Sequence, residues 1–525
     1  MRPRQFGVEV AVYANKLTLA LWLVTSGALL SACGARPQPQ LEPTRTLAPQ
    51  PTRAPASATP AERATTAPEA RPRVSATVMP AALLGPDVLG DARTCADVRP
   101  AVNAVAPKLG AQDGRVLYLT PESDIALSDI TGKTHVRVTQ DSFIDSDAKR
   151  MRIYLFPTAA SDGDALAFVR LEVSGGSVTQ TVTIAEPRDN GASIDVFSTS
   201  ESTIPYVDWA PDGQTIAFLT INANSGEIRA AARTGGAASI IEAGRPAYWH
   251  WHSDSGSLVT HFGGRGERRG EGAYLSTIGI KSARRGDAHV FDTLPGAFQS
   301  PHFSPDASHM VYAANLKGSG DDALVLGDSS GMPICVLSAV EQGAFFAWSP
   351  DGVHLAVMDT PGPAVATGEL RVIDVRDGSA QLVHQSAIAF FWSPDGDRLA
   401  VYSLSDSAAP TQIGRADGSA KAARVSEQGG GVPMMRIEIA SLRGGAHIPV
   451  VDTFMTGDFR QYLQFFDQYS RSVTPWSPNG AHLAFSGGQR TDAPPVFGVA
   501  TFNPAKTEVT LSQLGQGSLA FFSPK

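Results

Sequence analysis

Cysteine is scarce in this chain of 525 residues, with three in all, at positions 33, 95 and 335. Neither a disulfide-dense scaffold nor a cysteine-built metal cluster can organise it. Positive charge is also in deficit. Lys and Arg total 43 against 51 Asp and Glu, a formal net charge of −8, and no continuous basic stretch compensates. General attraction to nucleic acid or anionic lipid is thereby excluded. The apolar run near the start, Leu17–Leu30, has fourteen residues, too few to span a bilayer comfortably. What the chain does have is Gly (50) and Pro (37), a composition of many turns between short strands.

The N-terminus has the layout of an export signal. Arg2, Arg4 and Lys16, with Glu9 the sole acid among them, precede the apolar run, and Leu30-Ser31-Ala32-Cys33 follows at once. This resembles the bacterial lipobox, in which small residues let a peptidase reach the bond before a cysteine whose thiol takes up lipid. The resemblance implies residues 1–32 as a lipoprotein signal peptide, Cys33 as the lipidated first residue of the mature chain, and membrane attachment through that lipid, facing the periplasm or exterior. Residues 33–80 are dominated by Pro, Ala, Thr and Arg. Such a stretch has little apolar surface to bury and is expected to remain an extended tether. Residues 81–108 form a short lead-in to the folded part, 109–525.

That folded part repeats. The clearest copies are Trp209-Ala210-Pro211-Asp212-Gly213, Trp348-Ser349-Pro350-Asp351-Gly352, Trp392-Ser393-Pro394-Asp395-Gly396 and Trp476-Ser477-Pro478-Asn479-Gly480, each followed by an apolar strand. Weaker copies occur at Asp113, Asp162, Asp254 and Asp306. The turn positions are spaced by 49, 50, 42, 52, 45, 44 and 84 residues, and all but the last suit one four-stranded unit per repeat. Ser, Pro and Gly occupy the turn positions that a type I turn favours. The Trp or Phe before them ends the innermost strand, where a large ring fills the gap between wedge-shaped neighbours.

The ends of the chain sharpen this picture. Gly517–Lys525 copies the innermost strand and the Ser-Pro of the turn and then stops, whereas the first repeat starts at the turn and lacks an innermost strand. Joining the two removes a free sheet edge. The expectation is an all-β fold: one β-propeller of about eight four-stranded blades, seven being the alternative, closed by a C-terminal strand that completes the first blade. The pattern W-S-P-D-G-x-x-[IL]-A resembles the WD-repeat-like propeller repeat of the TolB type over roughly residues 110–525. The chain departs from TolB in having no room for an N-terminal α/β domain, in its blade number and in its lipobox, so the resemblance implies a fold and not the Tol–Pal role. Cys335 falls on an outer strand of the fifth repeat, across the ring from the first, so Cys95 and Cys335 are expected to remain unpaired.

No catalytic residue, metal site or cofactor is assigned. Gly327-Asp328-Ser329-Ser330-Gly331 matches a nucleophile-elbow pattern but joins two strands, so it reads as a hairpin turn. Trp249-His250-Trp251-His252, with His261 nearby, places two His on one side of a strand without a carboxylate or Cys at ligand spacing, and reads as packed. Arg285-Gly286-Asp287 reads as turn chemistry. The insertions say more. With the strands of a repeat lettered a to d from inside outward, the b–c loop of repeat four (Arg265, Arg268, Arg269), the b–c loop of repeat seven (about 406–432) and the connection from repeat seven to eight (about 454–470) share one face. In the last of these, Phe459, Tyr462, Leu463 and Phe466 have helical spacing after Asp458, which reads as an N-cap. That helix either packs its aromatic stripe on the blade beneath or offers it to a partner or glycan. The candidate binding face is therefore Arg265, Arg268, Arg269, Phe459 and Tyr462. The function expected is a binding or scaffold module for a protein, peptide or cell-envelope ligand. The alternatives are a propeller-based hydrolase or lyase with a channel-facing site, and an extracytoplasmic sensor.

Overall fold

The repeated turn is built the same way in the copies that begin with serine. At Ser349 the backbone N–H of Gly352 donates to the Ser349 carbonyl (2.9 Å), and the Ser349 hydroxyl accepts from the N–H of His354 (3.0 Å). The matching bonds run from Arg398 to Ser393 (3.0 Å) and from His482 to Ser477 (2.9 Å). The fourth turn position is left-handed in Gly352, Gly396 and Gly480, and remains so where the copies lack glycine, at Ser255 (φ 64°) and Ala307 (φ 56°). The weak copies thus keep the turn and accept backbone strain.

The computed structural model describes residues 93–524 except 189–190, 224, 245–246, 264–272, 294, 297–298, 317–320, 341–342, 361–366, 408, 412, 414–433, 444, 464, 490–492, 504 and 506–507. The fold is all-β, built of antiparallel meander sheets in the manner of a β-propeller. Repeat three consists of Thr203–Trp209, Thr215–Ile221, Gly226–Ala232 and Ser239–Ala243, and repeat four of Ala247–Trp251, Ser257–Phe262, Tyr274–Lys281 and Arg284–Val290. Repeats six and seven form one continuous sheet, because Ala380–Trp392 leaves the first as its outer strand and enters the second as its inner strand. In repeat one, Leu519–Ser523 pairs antiparallel with Arg115–Leu119, Leu117 facing Phe521.

The motif indoles tie neighbouring repeats together. Trp209 Nε1 donates to the Thr158 carbonyl (3.2 Å), Trp348 to His302 (3.1 Å), Trp392 to Ala347 (3.0 Å) and Trp476 to Phe391 (3.0 Å). Each acceptor lies on the inner strand of the preceding repeat, so one side chain both fills the wedge and satisfies a buried carbonyl there.

Two expectations are corrected. Cys95 and Cys335 are joined by a disulfide, with Cα atoms 5.0 Å apart. Arg93–Thr94 adds in parallel to the outer edge of repeat five, with Arg93 opposite Cys335, and a one-turn helix, Cys95–Val98, follows. The chain then passes the turns of repeats six and eight: Val105 N–H donates to the Asp351 carbonyl and Gly110 N–H to that of Pro478, both at 2.9 Å. Closeness in sequence to repeat one had suggested closeness in space, yet the stretch from Cys95 to Gly114 can reach about 60 Å when extended. That is enough to cross the disc.

The second correction concerns repeat eight. Its described sheet has three strands, His482–Gly487, Val496–Phe502 and Val509–Gln516. On the inner side there are only single bridges, Trp476 to Leu483 and Thr474 to Phe522. In place of most of an inner strand, the connection forms a helix, Gly457–Tyr462, and a 3-10 turn, Gln468–Arg471. Thr456, not Asp458, caps the helix, accepting from Phe459 N–H at 3.1 Å.

A filled channel and a candidate ligand cleft

The connection is buried against the inner strands of the repeats. Phe459 and Tyr462 are only 5% and 2% exposed, and Phe465, Phe466 and Tyr469 are buried with them. Their rings meet inner-strand residues of several repeats. Phe465 stacks on Tyr206 of repeat three (5.1 Å between centroids) and meets Tyr248 of repeat four edge-on (5.7 Å). Phe466 packs against Phe345 of repeat six (5.2 Å) and Phe390 of repeat seven (5.1 Å), and Tyr462 against Phe521 of repeat one (5.2 Å). Tyr462 Oη donates to the Pro157 carbonyl (3.0 Å) and Ser472 Oγ to the Asp208 carboxylate (2.8 Å). The aromatic stripe read from the sequence is therefore interior packing, and no external partner reaches Phe459 or Tyr462 in this arrangement.

At the core of this plug sits a buried carboxylate. Asp467 accepts from the Gln299 side chain and from the N–H of Gln468 (3.0 Å), and Gln299 in turn accepts at its carbonyl from His261 Nδ1 (2.9 Å). Burial is the larger influence on both end groups. It pushes Asp467 up to about 7 against the hydrogen bonds it accepts, and His261 down to about 4 against its bond to Gln299.

Of the other residues singled out by sequence, Cys33, Arg265, Arg268 and Arg269 lie outside the described residues. His250 is buried, stacks on His302 (4.4 Å) and accepts from Phe303 N–H (3.3 Å), as a packed histidine does. The stretch Gly327–Gly331 is the hairpin between the strands Asp321–Asp328 and Pro333–Val340, with Ser330 Oγ donating to Asp328 (2.6 Å). Arg285-Gly286-Asp287 lies in the outer strand Arg284–Val290 rather than on the turn, which falls at Ser282 and Ala283, and Arg285 pairs with Glu242 (3.0 Å). The turn was displaced because the two small residues there take left-handed angles (φ 51° and 55°).

An open concavity lies on the face of the b–c loops and d–a connections, between repeats six and seven. It encloses about 600 Å³, room for a short peptide or oligosaccharide unit. Leu382, Val383 and His384 come from strand d of repeat six, and Gln385 and Ser386 from the bend into strand a of repeat seven. Ser403, Leu404 and Asp406 come from the end of strand b of repeat seven, and Arg436 and Glu438 from its strand c. Glu438 sits between two imidazoles: His447 Nδ1 donates to its carboxylate (2.8 Å), and His384 Nε2 is 3.8 Å away. His384 Nδ1 accepts from Ser386 N–H (3.0 Å), so the neutral ring carries its proton on the nitrogen facing Glu438. Burial draws His384 below its ordinary value, with Glu438 acting in the opposite sense. Behind them Arg436 forms a two-bonded pair with Asp452 (2.9 and 3.2 Å), which holds the guanidinium charged. Sequence reasoning missed this cleft, since its residues come from separate strands of two repeats and form no local motif.

No protein-family model and no curated protein matches the chain. Solved structures similar to it include TolB from Acinetobacter baumannii, at 14% identity over 53% of this chain and 66% of that one, with a TM-score of 0.33. The aligned part thus spans a little under two thirds of that protein. An oligogalacturonate lyase in complex with manganese aligns at 13% identity over 75% of this chain and 100% of that one (TM-score 0.42). The β-propeller domain of the Trilobed protease from Pyrococcus furiosus aligns at 11% identity over 70% and 99% (TM-score 0.40).

Proposed function

We propose that this chain is an extracytoplasmic binding module, attached to a membrane through lipid on Cys33. In this reading the scaffold is an eight-bladed ring closed by Leu519–Ser523, and ligand enters the cleft between repeats six and seven. The observation that carries it is the contrast between two concavities. The channel, where propeller enzymes gather their catalytic groups, is filled by Phe459, Tyr462, Phe465, Phe466 and Tyr469, while the cleft is open and lined by both polar and apolar groups. Export is supported independently by the Cys95–Cys335 disulfide, since such bonds persist in oxidising compartments.

Two experiments test this. Ser386 is exposed at the bend lining the cleft, and Ser386→Trp fills the space without touching the core. In a binding screen of peptides and cell-envelope polymers against the full chain, ligands of the wild type are expected to lose affinity for the Ser386→Trp variant. Equal binding by both would discard the cleft. For the anchor, Cys33→Ala is expected to abolish labelling by radioactive palmitate and release the protein from membranes, and persistent labelling would refute attachment at Cys33.

A further inference from the structure

We infer that the cleft between repeats six and seven takes a peptide bearing a lysine or arginine between apolar neighbours. This rests on the cleft being the ligand site. Of the ionised groups lining the cleft, Asp406 and Glu438 are negative and Arg436 is positive, but Arg436 is already matched by the bidentate Asp452 pair. The lining therefore keeps an uncompensated negative charge. Asp406 is exposed and forms no salt bridge with the described residues, acting on Arg436 only through space. Glu438 is mostly withdrawn from water, its side chain 13% exposed, and its partner His447 is charged only when protonated.

The second observation is apolar and independent of the first. Leu382 and Leu404 are 48% and 53% exposed, among the few large apolar side chains left open to water among the described residues, and both line this one cleft. Exposed leucines beside carboxylates suit a ligand with a cationic head flanked by apolar groups. A strongly anionic polymer would meet Asp406 and Glu438, with Arg436 already bonded to Asp452, and a plain neutral sugar would leave both leucines uncovered. The end of one strand at Leu404 and the middle of the strand Ala380–Trp392 at Gln385 and Ser386 both line the cleft, so an extended segment can enter across the two repeats.

The test uses the full chain and two fluorescein-labelled hexapeptides, one alternating leucine with lysine and one alternating leucine with glutamate, read by fluorescence anisotropy. The lysine peptide is expected to bind and the glutamate peptide to bind at least tenfold more weakly. Asp406→Asn, at an exposed position that does not endanger folding, is expected to weaken lysine-peptide binding three- to tenfold, and Leu404→Ser to weaken it similarly. Equal binding of the two peptides, or no effect of Asp406→Asn, overturns the inference. A neutral or acidic ligand that Ser386→Trp displaces would also overturn it while leaving the cleft as the binding site. Lysine-peptide binding unaffected by Ser386→Trp would remove both.

Discussion

The indole N–H of Trp476 donates to the carbonyl of Phe391, 3.0 Å away and 85 residues earlier in the chain. Trp476 is fully buried and Arg398 lies over its ring, 4.6 Å from the centroid. Trp476→Phe keeps an aromatic body but leaves the Phe391 carbonyl without this donor. A loss of about 1–3 kcal/mol in unfolding free energy is expected, measured by urea denaturation. An unchanged midpoint would mean the bond contributes nothing to repeat cohesion.

Cys95 and Cys335 close a loop with a sequence separation of 240. Constraining so long a loop in the unfolded chain is expected to stabilise the fold by ~2–5 kcal/mol. Cys335→Ser should lower the denaturation midpoint accordingly, and reductant should lower that of the wild type but not of the variant. Peptide mapping without reductant should recover the two cysteines in one linked fragment.

The pair Asp467 and His261 gives a distinctive dependence on pH. Asp467 has a folded value near 7 against 3.8 when free, so between about pH 4 and 7 the folded state holds an extra proton and stability falls as pH rises. His261 has a folded value near 4 against 6.5, so between about pH 4 and 6.5 the unfolded state holds the extra proton and stability rises with pH. The two slopes, each about 1.4 kcal/mol per pH unit at most, oppose one another. Asp467→Asn is therefore expected to expose a rising slope over pH 4–6.5, and His261→Gln a falling one, read from denaturation midpoints at half-unit intervals. Parallel profiles for wild type and both variants would contradict the assignment.

Tyr462 separates interior packing from ligand contact. Its hydroxyl donates to the Pro157 carbonyl at 3.0 Å inside the filled channel. Tyr462→Phe should cost about 1–3 kcal/mol of stability and leave ligand affinity at the cleft unchanged. A variant with native stability and impaired binding would instead return Tyr462 to an exposed contact surface.

What was legible in the sequence is what is local. The turn at Ser349 needs only residues 349–354, and every bond in it is written in that order. The bond that gives Trp348 its place is not, because its acceptor, the His302 carbonyl, lies 46 residues away. The stripe of Phe459, Tyr462 and Phe466 announced a helix, but a 3.6-residue period states only that one face is apolar. Whether that face meets a blade, a channel or a partner depends on shape that no single repeat encodes. Cys95 failed for a related reason: distance along the chain bounds distance in space only from above. The cleft is the extreme case, since His384, Leu404 and Glu438 become neighbours only after three strands, distant in sequence, are laid side by side in one sheet.

The covalent link at Cys95 also decides how the molecule bears tension. A pull on the segment before Cys95 passes through the sulfur bridge into the outer strand of repeat five. The 240-residue path from there back to Cys335, which contains Arg115–Leu119, is bypassed. The seam between Arg115–Leu119 and Leu519–Ser523, where a strand from one end of the fold meets the other, is thus spared direct loading. Without the bridge, the same pull would be passed along the chain to the contacts at Val105 and Gly110, which lie on the way to that seam.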